Sequence, residues 1–169
     1  MCDNMAIVEV GAAEGGTTAA LASIISSTNG HVFAIDPWED DEVRSKFYEV
    51  FNYLSNVTPI RMASARASQY FADKSIDIVF IDADHSYTHV MEDLMVWAPK
   101  AKSIICGHDC EMKYSTFKDE DKEQIELHRE DEKVDFDAHP GVIKALYDTF
   151  NDEFEIGTLS TIWWKYADK

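Results

Sequence analysis

Short apolar bursts alternate with stretches of helical period along most of the chain, and that alternation leaves few folds open. A burst with no polar face must be covered on both sides, which is the situation of a parallel strand between layers of helices. Met5–Val10, His31–Ile35, Val57–Arg61, Ile76–Ile81 and Ser103–Cys106 read as such strands. Ile76–Ile81 is apolar almost throughout and therefore central. Gly15–Ser27, Asp40–Leu54, Ser64–Phe71, Tyr87–Trp97 and Val142–Phe150 read as helices. In Asp40–Leu54 the apolar residues Val43, Phe47, Val50, Phe51 and Leu54 share one face. Phe154–Ile156 and Thr161–Tyr166 read as a closing antiparallel pair. The pattern predicts one α/β domain over residues 1–169 with a mostly parallel sheet.

Charge narrows the partners. Fifteen Lys and Arg stand against 32 Asp and Glu, a formal net charge of −17. Such a surface repels phosphate backbones and anionic membranes, so neither nucleic acid nor membrane is expected as a partner. No apolar run has the length of a membrane span. The three cysteines, Cys2, Cys106 and Cys110, lack the paired spacing of a zinc site or disulfide framework. The start lacks the basic region of a secretory signal. A cytoplasmic setting is the resulting expectation. Residues 118–137 hold ten acidic and four basic residues with little apolar content, and they read as a solvated, variable loop within 110–138.

Two groups of residues carry chemistry. The first is Val8-Glu9-Val10-Gly11-Ala12-Ala13-Glu14-Gly15-Gly16-Thr17-Thr18, which leaves the first strand and opens the first helix. Glycines there permit a sharp turn and close approach of a ligand. Ala13 stands where a dinucleotide fingerprint has its second glycine, which counts against a nicotinamide cofactor. Glu9 suits a ligand with a positive charge better than a pyrophosphate. Asp36 ends the second strand, where an acid can bind ribose hydroxyls. Pro37 and Trp38 follow; Trp38 either lies against a purine or packs in the core.

The second group is Asp82-Ala83-Asp84-His85-Ser86-Tyr87 after the fourth strand and Gly107-His108-Asp109 after the fifth. Carboxylates converging from adjacent strand ends suit a hard divalent cation such as Mg²⁺, with a nearby histidine able to accept a proton. Asp84 or Ser86 can instead cap the next helix, His89 can sit on its surface, and His108 can bond backbone.

These motifs resemble the class I S-adenosylmethionine-dependent methyltransferases, in particular the small-molecule O-methyltransferases of the macrocin and cephalosporin-biosynthesis type. Ala34-Ile35-Asp36-Pro37-Trp38, Ser64-Ala65-Arg66-Ala67, His139-Pro140-Gly141-Val142 and Thr161-Ile162-Trp163-Trp164 extend the likeness over nearly the whole chain. The resemblance implies a Rossmann-like fold, a seven-stranded, mostly parallel sheet of order 3-2-1-4-5-7-6 with helices on both faces. It implies cofactor contacts from Glu9, Gly11, Ala12, Ala13, Glu14, Gly15, Thr17 and Thr18 to the methionine part. Asp36 would take the ribose, Pro37, Trp38, Ser64 and Ala65 would lie around the adenine, and Asp82 and His85 would border the same ligand. It further implies Asp82, His108 and Asp109 as metal ligands and His85, with Asp82, as the catalytic pair, His85 being the general base. The expected activity is methyl transfer from S-adenosyl-L-methionine to a hydroxyl of a small molecule such as a sugar, with Mg²⁺ assisting. A homo-oligomer would supply any cover for the site that 110–138 does not. The competing expectations are a non-catalytic S-adenosylmethionine-binding protein and, third, a nicotinamide-dependent oxidoreductase.

Overall fold

The structure, a computed structural model, describes residues 4–131 and 138–167. Five parallel strands form the body of the sheet: β1 (Ala6–Val10), β2 (His31–Asp36), β3 (Val57–Arg61), β4 (Ile76–Ile81) and β5 (Ala101–Gly107). Two short strands close it, β6 (Glu155–Ile156) and β7 (Trp163–Tyr166), with β7 antiparallel to both β5 and β6. The order is β3-β2-β1-β4-β5-β7-β6, as the resemblance implies. The chain winds outward from β1 to β3 and then returns to build the other half from β4. The sheet therefore opens a crevice at the carboxyl ends of β1 and β4, the usual ligand position in such sheets.

Strand alternation sends side chains to two separate cores. Val8 and Val10 face the side covered by α4 (Tyr87–Trp97) and α6 (Pro140–Phe150), where Val90, Leu94, Trp97, Ile143 and Leu146 are buried. Ile7, Val32 and Ala34 face α1 (Gly16–Ile25) and α2 (Asp41–Phe51), where Ala22, Ile25 and Phe47 are buried. Asp40 starts α2 by accepting hydrogen bonds from the backbone N–H groups of Glu42 (2.7 Å) and Val43 (3.1 Å). A short helix, α3 (Ser64–Ala67), follows β3. No helix among the described residues is long and apolar enough to cross a membrane.

The acidic segment departs from the expected loop. Asp119–Leu127 forms a helix, α5. Asp119, Glu120 and Asp121 occupy its first turn, where negative charge is favoured by the helix dipole. Its one buried apolar side chain, Ile125, is fully enclosed in the core. A single anchor of this kind is too little to show as a hydrophobic period, so the charge pattern masked the helix. The part of the expected loop at 132–137 lies outside the described residues.

The crevice depends on Gly11. Its φ is +89°, and a Cβ there would come within 2.1 Å of the Asp82 carbonyl oxygen. Gly11→Ala is therefore expected to destabilise the fold by about 3 kcal/mol or more, read as a fall in the midpoint of denaturant unfolding. A midpoint within experimental error of wild type would show that β1 and β4 can part at this point without cost.

Candidate active site

The glycine loop is tied to the end of β2. Gly11 N–H and Ala12 N–H donate to the Ile35 carbonyl at 2.8 and 3.2 Å. Asp36 then uses both carboxylate oxygens: Oδ2 accepts from Ala13 N–H (2.9 Å) and Oδ1 from Trp38 N–H (2.6 Å). Trp38 closes the arrangement from below, its Nε1–H donating to the Ala13 carbonyl at 2.8 Å. The indole is 1% exposed and packs on Phe47 with ring centroids 4.4 Å apart. Trp38 thus belongs to the core beneath the loop, which removes its ring as a surface for adenine. Apolar area of that size is worth more buried between α2 and the loop than left on a cleft wall.

Above this floor lies a cleft of about 600 Å³. Gly11, Ala13, Asp36 and Pro37 line one end, Met62–Ala65 and Asp93 another, and Asp82–Asp84 the side. A second cleft, of about 590 Å³, is walled by Ala83–Ser86, His89 and Glu130, and shares Ala83, Asp84 and His89 with the first.

Several expected contacts fall behind these walls. Glu9 is 1% exposed because strand alternation turns it to the α1 side, where its carboxylate accepts the Thr18 hydroxyl. Ala12 and Thr18 are buried there too. Glu14 points away and pairs with Lys46 at 2.8 Å, and neither Gly15 nor Thr17 lines the cleft. Glu9 and Thr18 therefore support the loop from beneath, and a direct hold on a ligand's charged end is not their part. Burial pushes the Glu9 carboxyl up to about 7, against the lowering effect of Thr18.

At the ends of β4 and β5, three histidines meet three acids. His85 Nε2 lies 3.0 Å from Asp109 Oδ2 and 3.9 Å from Asp82 Oδ1. The bond to Asp109, with Asp82 next, outweighs burial and raises His85 to about 10, so the imidazole is a cation at neutral pH in this state. Burial alone would raise Asp109, but His85 and the two other histidines hold its carboxyl low. His108 Nδ1 faces Asp109 Oδ1 at 2.9 Å, and Thr161 Oγ1 holds its Nε2 at 3.0 Å. His139 Nδ1 is 2.7 Å from Glu111 Oε1 and 3.7 Å from Asp109 Oδ1. Gly141 lets α6 start here, since a Cβ on it would meet the His85 carbonyl oxygen at 2.2 Å.

One ligand atom from each of Asp82, His108 and Asp109 lies within 4.8 Å of the others. Two carboxylates and an imidazole make a donor set that fits a divalent cation, and Thr161 orients the imidazole as outer partners of metal-bound histidines do. His85, Asp109 and His139 make a second such group. His139 and Thr161 fall within motifs of the resemblance that imply no role for them, and Glu111 falls in none. Tertiary packing brings Glu111 to His139 across 28 residues and Thr161 to His108 across 53. Neither Asp84 nor Ser86 bonds the start of α4: Asp84 Oδ1 accepts from Ser86 N–H and Oγ–H. Glu130 takes that place, accepting from Thr88 N–H at 3.2 Å.

Comparison with known proteins agrees with this architecture. A methyltransferase domain family matches residues 8–110, from β1 through both strand-end clusters. The chain belongs to that methyltransferase family. Solved structures share the fold: a putative rRNA-methylase from Clostridium thermocellum (14% identity, 100% of this chain and 90% of that one, TM-score 0.62), an S-adenosylmethionine-dependent methyltransferase from Aquifex aeolicus (18%, 98% and 82%, 0.59), and the putative methyltransferase SMU.1697c from Streptococcus mutans in complex with SAH (9%, 98% and 90%, 0.61). Among curated sequences, the uncharacterized protein y4gI of Sinorhizobium fredii is 29% identical over 97 residues, half of this chain. That stretch is 11% of the relative's own length.

The buried Glu9 gives a pH signature. Its folded value of about 7 lies above its ordinary 4.5, so folding takes up a proton between the two and stability falls as pH rises through that window. Glu9→Gln keeps the shape without the charge. Its melting temperature should match wild type near the lower limit and exceed it by about 5 °C above the upper one. A difference that does not change with pH would show that Glu9 titrates alike in the folded and unfolded chain, and would overturn the raised value.

Proposed function

We propose that this methyltransferase moves the methyl group of S-adenosyl-L-methionine to a hydroxyl of a small molecule, a sugar being a suitable acceptor. One observation carries the reading: His85 lies on the second cleft, directly beside the Ala83–Asp84 wall shared with the first. A cofactor in the first cleft and an acceptor in the second would meet beside a side chain that can hold a proton.

The chemistry asks for little else. Methyl transfer from a sulfonium is an in-line displacement, so the protein aligns oxygen and carbon and removes one proton. Gly11 and Ala13 leave room for the amino-acid part of the cofactor. The Asp36 carboxylate, already fixed by two backbone N–H groups, faces the first cleft and can take ribose hydroxyls. Asp82, His108 and Asp109 would hold a divalent cation such as Mg²⁺, which when bound lowers the pKa of an acceptor hydroxyl. If such a cation engaged Asp82 and Asp109, His85 would lose the partners that raise it and could accept a proton. His139, held by Glu111, stands 4.9 Å from the His85 ring and keeps that side of the site polar.

Concave clefts and a net charge of −17 favour a small neutral or cationic acceptor over nucleic acid. The reading is a cytoplasmic enzyme, with a homo-oligomer as the means of further covering the site.

Labelled S-adenosyl-L-methionine with a panel of sugar and phenolic acceptors, with and without Mg²⁺, tests the reaction. Cofactor binding without turnover on any acceptor would mark a non-catalytic binding protein instead. Asp36→Ala should weaken S-adenosylhomocysteine binding by about tenfold or more in calorimetry, since charged hydrogen bonds are lost. An unchanged dissociation constant would remove Asp36 from the ribose. His85→Ala should lower turnover by about a hundredfold or more with S-adenosylhomocysteine affinity kept; wild-type rates would sink the base assignment.

A further inference from the structure

We propose that Asp93 reads the purine of the cofactor, its carboxylate accepting a hydrogen bond from the 6-amino group and so selecting adenine. The inference rests on the S-adenosyl-L-methionine reading above and adds to it a residue that lies outside every motif in the sequence.

Asp93 comes from the middle of α4, a position where an acid is normally solvated, yet it is 5% exposed. Its Oδ1 accepts the Ser64 hydroxyl, and Ser64 Oγ in turn accepts from Trp97 Nε1–H at 2.8 Å. This chain ties α3 to α4 and fixes the direction of the carboxylate. It satisfies only one of the two oxygens. Oδ2 receives no hydrogen bond from any described residue. Nor is it sealed in: among the described residues the one enclosed side-chain polar atom without a partner is Asp152 Oδ1. Asp93 Oδ2 therefore keeps an open surface, and the opening that Asp93 borders is the first cleft.

Asp84, His89 and Glu92 line the same cleft and act on the Asp93 charge, while another part of the lining is apolar. Met62, Ala63 and Ala65 form the neighbouring wall, which suits the flat face of a base. Burial pushes the Asp93 carboxyl up to about 6, partly offset by Ser64. A carboxylate in such a place has lost much of its hydration, and a ligand N–H would restore a hydrogen bond to it. The position in the cleft selects the donor. Met62 N–H bonds the Asp36 carbonyl at 3.1 Å, so the Met62–Ala65 turn begins directly beside the ribose end. A base attached to that ribose lies along the turn, where the exocyclic amine is the one strong donor that adenine offers. A purely structural role would leave Asp93 tying α3 to α4 through Ser64 without contact to ligand. Such a role predicts no sensitivity to the substituent at the purine 6-position.

Calorimetric titration compares S-adenosylhomocysteine with its analogue carrying hydrogen in place of the 6-amino group. Wild type should bind the amino form about thirtyfold more tightly, as sites built around a hydrogen bond reject ligands that lack it. In Asp93→Ala that ratio should fall close to one, and in Asp93→Asn, which keeps the Ser64 bond and the side-chain volume, to a value between. Asp93→Asn carries the test if the alanine variant does not fold. Wild type binding both forms alike, or either variant losing affinity for both with the ratio kept, overturns the proposal. No binding of either form by wild type would overturn the cofactor reading itself, and the inference with it.

Discussion

Where β1 and β4 part, backbone meets backbone, and the rest of this end of the molecule is arranged around that contact. Asp82 N–H still bonds the Val10 carbonyl at 2.9 Å, one residue before Gly11 turns away at φ +89°. A side chain at position 11 has no room, so the loop must swing over β2 to find partners. It finds the Ile35 carbonyl and then Asp36, whose carboxylate is held by two N–H groups before any ligand arrives. The same turn leaves Asp82 at the rim, beside the end of β5. A cleft for one ligand and a charged cluster for chemistry thus follow from one close approach, because parallel neighbouring strands end at the same level.

The cluster around Asp109 meets a second constraint. A chain with a net charge of −17 gathers Asp82, Asp109 and Glu111 at one place only if positive groups gather with them. His85, raised by Asp109 and Asp82, supplies such a group, and His108 and His139 also lie within ion-pair distance of Asp109. Asp109 itself sits at φ +60°, a conformation uncommon outside glycine, which the surrounding bonds hold in place. The strain is local to the point where three polar partners must converge from the ends of β4 and β5 and the start of α6. That location agrees with a functional origin better than with a requirement of the fold, which continues from Gly107 into the Cys110 turn by backbone bonds alone.

Much of this was legible in the chain. Each strand that is apolar on both faces announced itself, and Ile76–Ile81 could be placed at the centre of the sheet from composition alone. The residues at the ends of β2 and β4 do border the crevice, since strand ends fix where the next residues lie. Less legible was the side of the backbone that each residue would occupy inside the loop. Glu9 and Trp38 stand within the right motifs but on the buried side, Glu9 by strand alternation and Trp38 by the turn at φ +43°. Long-range partners were not legible at all. The sequence assigns no role to Asp93, Glu111 or Thr161, because the partners that define one come from distant segments.

The acidic segment shows how far a charge pattern can mislead. Ten acids among twenty residues describe a solvated stretch only if no cations wait for them in the fold. Here Lys144, on α6, lies 3.4 Å from Glu126 and 2.5 Å from Asp148, with the rings of Tyr87, Tyr114 and Tyr147 each within 6.0 Å of its Nζ. Arg129 stacks over Tyr87 at 5.0 Å. Exposed ion pairs contribute little one by one, but this group is partly enclosed and shares its cations among several partners. It fixes α5 onto α6, and with it Arg129, whose carbonyl accepts from Tyr87 N–H at 2.8 Å. Glu130 then falls at the start of α4, forming the wall of the second cleft opposite His85. The acidity of the segment thus serves to place one carboxylate on the wall of the second cleft, and the surplus charge on the outer face of α5 is the part left to solvent.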